Sequence, residues 1–121
     1  MNHVAYTSDG RTLVTGGWGS DEGGGIRLLD AATGRVTRTI QGKAEGGSVN
    51  SMAVAPVGNR VAAALYTKDF EPVRVWDLGT GKERHVLRGA GRGFQTVRFA
   101  KDGVTLAAAG RDGNVRVWEV K

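Results

Sequence analysis

Gly110-Arg111-Asp112-Gly113-Asn114-Val115-Arg116-Val117-Trp118-Glu119-Val120-Lys121 is the stretch that decides the fold. Asp-Gly supplies a tight turn, because Gly takes the positive φ that short hairpins demand. The residues after it alternate and end in a Trp and an acid, the pattern of a half-buried strand. The same strand stands earlier as Val73-Arg74-Val75-Trp76-Asp77-Leu78, and a worn copy as Ile26-Arg27-Leu28-Leu29-Asp30-Ala31. Leu29, Trp76 and Trp118 thus share one position. Three copies of one strand predict three copies of one structural unit.

Outward from that strand, Met1–Gly10 matches Phe94–Gly103 without a gap, and Val49–Gly58 is the middle copy. The copies begin at residues 1, 49 and 94, so the repeat is 48 residues and then 45. A period in the forties made of strands points to a propeller array. Each unit reads as four strands. Strand A alternates, with Val4 and Tyr6, Met52 and Val54, and Val97 and Phe99 each on one face. Strand B is Leu13-Val14-Thr15, Val61-Ala62-Ala63-Ala64 and Leu106-Ala107-Ala108-Ala109. Alanine runs are poor strand formers, and they fit where neighbouring sheets approach closely. Strand C is the Trp strand, followed by turns at Ala32-Thr33-Gly34-Arg35 and Gly79-Thr80-Gly81-Lys82. Strand D is Val36–Ile40 and Glu83–Leu87. The third copy stops at Lys121, level with Gly79, without its strand D.

These residues resemble the WD-repeat β-propeller family, above all Trp76-Asp77, Trp118-Glu119 and Asp112-Gly113-Asn114-Val115-Arg116-Val117. The resemblance extends over nearly the whole chain. It implies radial blades of four antiparallel strands and a scaffold that binds other proteins without catalysis of its own. Family units often carry a Gly-His pair before strand A, bonded to the turn Asp. Here Gln41-Gly42-Lys43 and Arg88-Gly89-Ala90 stand in its place, so that network is not expected. The expected fold is all-β, a single partial propeller domain over 1–121, with blades at about 1–42, 49–89 and 94–121. Leu29, Trp76, Asp77, Asp112, Gly113 and Trp118 are its structural residues. Three blades make an open arc or part of a larger ring. The missing strand favours a piece of a longer propeller, with a closed homo-oligomer next.

Composition narrows the function. With no Cys there is neither a disulfide framework nor a thiolate metal site. No apolar run reaches membrane-spanning length and no signal peptide opens the chain, so a soluble, cytoplasmic protein is expected. The net charge of +5 is scattered singly, which argues against a nucleic-acid footprint. Gly79-Thr80-Gly81-Lys82 lacks the earlier Gly and the following Ser or Thr of a phosphate-binding loop, and reads as a hairpin turn. The Gly-rich run 17–25 follows no βα pattern, and Asp21 and Glu22 offer too few oxygens for calcium. By repeat register His3 lies at the hub and His85 at the rim of different blades, and no Ser–His–Asp order stands out. No cofactor, metal or catalytic residue is expected.

The remaining candidates lie in loops. Copies one and two carry B–C insertions holding Trp18, Asp21 and Glu22, then Tyr66, Lys68, Asp69, Phe70 and Glu71. The resemblance implies that B–C and D–A loops share the binding face. Trp18, Tyr66 and Phe70 either fold back on their own blades or meet a partner, and the enrichment of aromatics at interface hot spots favours the partner. The expected function is protein–protein interaction through this face. The rival reading is a ligand- or phosphate-binding surface on Lys43, Lys68, Arg92 and Arg111. The partners expected are other proteins, the chain itself or the remainder of a longer propeller.

Overall fold

In the computed structural model, residues 3–17, 25–41, 48–66, 73–87 and 93–121 are described, and they form eleven strands. The first sheet is an antiparallel meander of β1 (His3–Tyr6), β2 (Thr12–Gly16), β3 (Ile26–Asp30) and β4 (Val36–Gln41). The second repeats it with β5 (Ser48–Val54), β6 (Arg60–Tyr66), β7 (Val73–Asp77) and β8 (Glu83–Leu87). The third has three strands, β9 (Phe94–Phe99), β10 (Thr105–Gly110) and β11 (Val115–Glu119). The order within each sheet follows the chain, as tight hairpins dictate. β1 adjoins β5, and β5 adjoins β9, so the strands A gather on the inner side of an open arc.

The strand register explains the composition of the middle sheet. Along β6, Val61, Ala63 and Leu65 enter the core between the first and second sheets, while Ala62 and Ala64 enter the core between the second and third. All five are essentially inaccessible. A strand buried on both faces has no use for alternating polar residues, and the small alanines let the flanking sheets close in. β2 and β10 each have one such face. Val14 packs against the second sheet, whereas Leu13 and Thr15 remain half-buried on the outer side.

Trp76 is 2% exposed, packed with Val14, Leu28 and Met52. Trp118, at the same position of the repeat, is only half-buried. It meets Phe94 edge-on at 5.5 Å and borders the second core. The difference follows from the third sheet ending at β11: no described strand lies beyond it to cover the indole. Leu29, at the same register in the first sheet, is half-buried on the outer face.

Polar bonds tie neighbouring sheets. Asn50 Nδ2 donates to Phe94 O at 3.4 Å, and the Val97 amide donates to Ser51 Oγ at 3.3 Å. At the rim, Arg38 Nη1 donates to Gly79 O at 3.2 Å, and in the same register one junction later His85 Nε2 meets Lys121 O at 3.1 Å. His3 and His85 lie on β1 and β8 of different sheets, as their register requires. Arg60 Nη1 also bonds Val120 O, seating buried Val120 against the second sheet.

Candidate protein-binding face

An antiparallel meander sends its connections alternately to opposite ends. At one end of these sheets lie the A–B and C–D turns, 7–11, 31–35, 55–59, 78–82 and 100–104, each five residues long. Carboxylates close most of them. Asp77 Oδ1 accepts from the amides of Gly79 (2.8 Å) and Thr80 (3.0 Å). Asp30 Oδ1 does the same for Ala32 and Thr33. Thr80 and Thr33 then accept from the Lys82 and Arg35 amides, before Gly81 and Gly34 at φ 75° and 77°. The Gly79–Lys82 stretch is therefore a hairpin turn, not a phosphate cradle. Asp102 accepts from the Val104 and Thr105 amides and the Thr105 hydroxyl, and Asp9 from the Thr7 hydroxyl and the Arg11 amide. The carboxyls of Asp77, Asp102 and Asp9 are held below their ordinary range by these bonds, for Asp77 chiefly the Thr80 amide, for Asp102 the Thr105 amide and for Asp9 the Thr7 hydroxyl.

At the other end the B–C and D–A connections are longer on the whole: 17–25, 42–47, 67–72 and 88–93, with only 111–114 short. The strand ends that carry them are fixed. The Val49 amide donates to Gly17 O at 3.2 Å, tying the start of the 17–25 connection to β5, and the Arg111 amide donates to Gly93 O at 3.0 Å, tying the 111–114 turn to the end of the 88–93 connection. In the short turn, Asp112 Oδ1 accepts the Asn114 amide at 3.0 Å, and Gly113 takes φ 86°. The Asn114 bond holds Asp112 below its ordinary range, helped by Arg116, whose Nη2 lies 3.8 Å away.

Of the residues expected on this face, Arg111 is described and exposed, and Tyr66 closes β6. Trp18, Asp21, Glu22, Lys43, Lys68, Asp69, Phe70, Glu71 and Arg92 lie outside the described residues. Of the basic set of the phosphate reading, only Arg111 falls among the described residues. The capping carboxylates were missed in the sequence, although the repeated Asp-x-x-Thr-Gly of Asp30–Gly34 and Asp77–Gly81 carries the signal. Among the described residues no three His, Asp or Glu side chains cluster as metal ligands, and no helix is long and apolar enough to cross a membrane.

Radial meanders in an arc, with a tight-turn end and a loop end, define a partial propeller. The family model "WD domain, G-beta repeat" matches residues 81–119, from β8 through β11, so the matched unit straddles two sheets. Small ribosomal subunit protein RACK1y of Oryza sativa subsp. japonica is 28% identical over 99% of this chain and 34% of its own length. Target of rapamycin complex subunit wat1 of Schizosaccharomyces pombe is 30% identical over 79% of this chain and 29% of its own. A chain in the crystal structure of a mitotic checkpoint complex superposes with a TM-score of 0.79, covering 97% of this chain and 35% of that one, at 22% identity, a likeness of fold. The chain spans about a third of these proteins, and 12% of the CCR4-associated factor 4 homolog of Candida glabrata, to which it is 37% identical over 60% of its own length. The resemblance to WD-repeat proteins carried by the three copies is thereby shown, and the fold is that of WD-type propeller blades.

Proposed function

We propose that this chain is a non-catalytic scaffold, one partial propeller domain with blades at about 1–42, 49–89 and 94–121, that binds other proteins through its B–C and D–A end. The observation that carries the reading is the asymmetry between the two ends. One end is built of uniform five-residue turns; the other holds the long connections, with Trp18, Asp21, Glu22 and Phe70 in their sequence and Tyr66 at the strand end that leads into one of them. Variable connections gathered on one side of a rigid repeat array suit recognition. The relatives support it: two carry names of complex or ribosomal subunits, and the solved neighbour is a checkpoint complex.

The test is comparative cross-linking in cell extract. Replacing 17–25 and 67–72 by the short Gly110–Asn114 type of turn should abolish the cross-links made by the unaltered chain. Substitutions at the opposite end, Asn59→Ala and Thr80→Ala, should leave them intact. The reverse pattern would place binding on the tight-turn end and defeat the proposal.

A further inference from the structure

The junctions between the first and second sheets and between the second and third share one register, yet they differ at the tight-turn end. Three equivalent bonds fix the correspondence: the amides of Ala31, Leu78 and Val120 donate to the carbonyls of Arg11, Asn59 and Val104. In that register Thr12, at the head of β2, matches Arg60 at the head of β6, and Leu78 matches Val120. Asp9 matches Val57, and Gly58 matches Gly103.

Between the second and third sheets this end is filled. Arg60 reaches across from β6, and its Nη1 donates to Val120 O. The neighbouring A–B turns also touch, so that a Cβ on Gly103 would lie 2.3 Å from Val57 O. Between the first and second sheets neither holds. Threonine is too short to make the Arg60 bond, and a Cβ on Gly58 has nothing within 4 Å. The space left is a cavity of about 220 Å³, lined in part by Thr7, Asp9, Thr12, Leu28, Val54 and Leu78. The next carbonyl along is engaged at both junctions, Gly79 O by Arg38 and Lys121 O by His85. The difference is therefore confined to the place of Arg60.

The walls suit the group that fills the other junction. Leu28, Val54 and Leu78 give an apolar floor, against which a methylene stem can lie. Asp9 sets a carboxylate where Val57 stands in the next blade. Its Oδ1 takes the Thr7 hydroxyl and the Arg11 amide, and its Oδ2 takes neither. Those bonds hold Asp9 below its ordinary range, so it is ionised at neutral pH. Arg11, whose charge acts on Asp9, borders a different hollow with Tyr6 and Asp30.

We propose that this cavity binds a small alkylguanidine, a molecule of the agmatine type, in the way the chain holds its own Arg60. The guanidinium donates to the Leu78 carbonyl, as Arg60 does to that of Val120, and the Asp9 carboxylate balances its charge. A guanidinium carries several N–H donors in a fixed fork, so one group can serve both oxygens. The cavity is smaller than the roughly 300–1,000 Å³ of sites for drug-sized ligands, which suits one such molecule. It lies at the opposite end from the loop face, and neither reading depends on the other.

NMR titration of the 121-residue chain with agmatine tests this. The amide signals of residues 7–12, Asn59 and Leu78 should shift together and saturate, with a Kd on the order of 1 mM for so small a ligand. n-Butylurea, similar in shape but neutral, should not bind. Asp9→Asn keeps an oxygen for the turn bonds and removes the charge, and it should weaken agmatine binding about tenfold or more. Thr12→Arg should abolish binding and raise the Tm, because its side chain occupies the cavity as Arg60 does one junction later. If Thr12→Arg does not fold, Asp9→Asn and butylurea still decide. No saturable shift in the millimolar range overturns the proposal, as do shifts centred elsewhere, equal binding of butylurea, or unchanged affinity in folded Thr12→Arg. A capped peptide bearing one arginine that binds about tenfold tighter than agmatine overturns the small-molecule assignment and gives the cavity to a partner's side chain. Replacement of 17–25 and 67–72 should leave agmatine binding unchanged, so failure here and failure of the loop-face reading are told apart.

Discussion

Gly34, Gly81 and Gly103 offer a graded measurement of how rigidly the blades are packed. All three adopt a left-handed backbone, with φ of 77°, 75° and 72°. An alanine at any of them meets the same intrinsic penalty of about 1–2 kcal/mol, because Cβ crowds the following carbonyl. Their surroundings differ. A Cβ on Gly34 has nothing within 4 Å; on Gly81 it would lie 2.9 Å from Arg38 Nη1, the far end of a long side chain held by its bond to Gly79 O. On Gly103 it would lie 2.3 Å from the backbone oxygen of Val57 and 2.7 Å from Val57 Cγ2, both in the adjacent blade. A side-chain end can swing aside; a backbone carbonyl moves only if the blade moves. Gly34→Ala should therefore cost about 1–2 kcal/mol, and Gly81→Ala little more. Gly103→Ala adds an overpacking cost of about 1–3 kcal/mol. At roughly 4 °C per kcal/mol for a domain of this size, the Tm falls by about 4–8 °C in the first two variants and by about 8–20 °C in the third. Thermal and urea unfolding of the three variants, measured side by side, decides the matter. Equal losses in Gly34→Ala and Gly103→Ala would mean that the A–B turns of neighbouring blades move past each other freely, and the rigid-junction reasoning fails.

Trp76→Ala should cost about 3–5 kcal/mol, the range for large aromatic deletions in a core, and Trp118→Ala clearly less because that indole is already half-exposed; equal costs in chemical denaturation would contradict the burial described. The carboxyls of Asp9, Asp77, Asp102 and Asp112 lie below their ordinary 3.8 in the folded chain, so their stabilisation is complete above that value and is lost as pH falls through the lower folded range. Stability from these groups should be flat between neutral pH and about pH 5 and should drop below about pH 4; Asp77→Asn should make the drop shallower, and an unchanged acid profile would speak against the turn bonds.

The sequence by itself determined the repeat, the four-strand unit and the place of each turn, because these follow from local chemistry. Period-two alternation, Asp-Gly turns and a recurring Trp-acid strand act within a few residues of one another. The capping by Asp30 and Asp77 was legible in the Asp-x-x-Thr-Gly repeat but looked like mere punctuation until each carboxylate was seen to hold two amides. Tertiary structure alone decided the rest. Val117 and Val75 look identical in sequence, yet one is exposed and the other buried, because only one has a following sheet. Trp76 and Trp118 diverge for a related reason, the end of the third sheet at β11. The use of Ala62, Ala63 and Ala64 on two different cores depends on a sheet packed from both sides, and the clash waiting at Gly103 depends on a carbonyl 46 residues earlier in the chain. Such distinctions belong to contacts distant in sequence, and no local pattern encodes them.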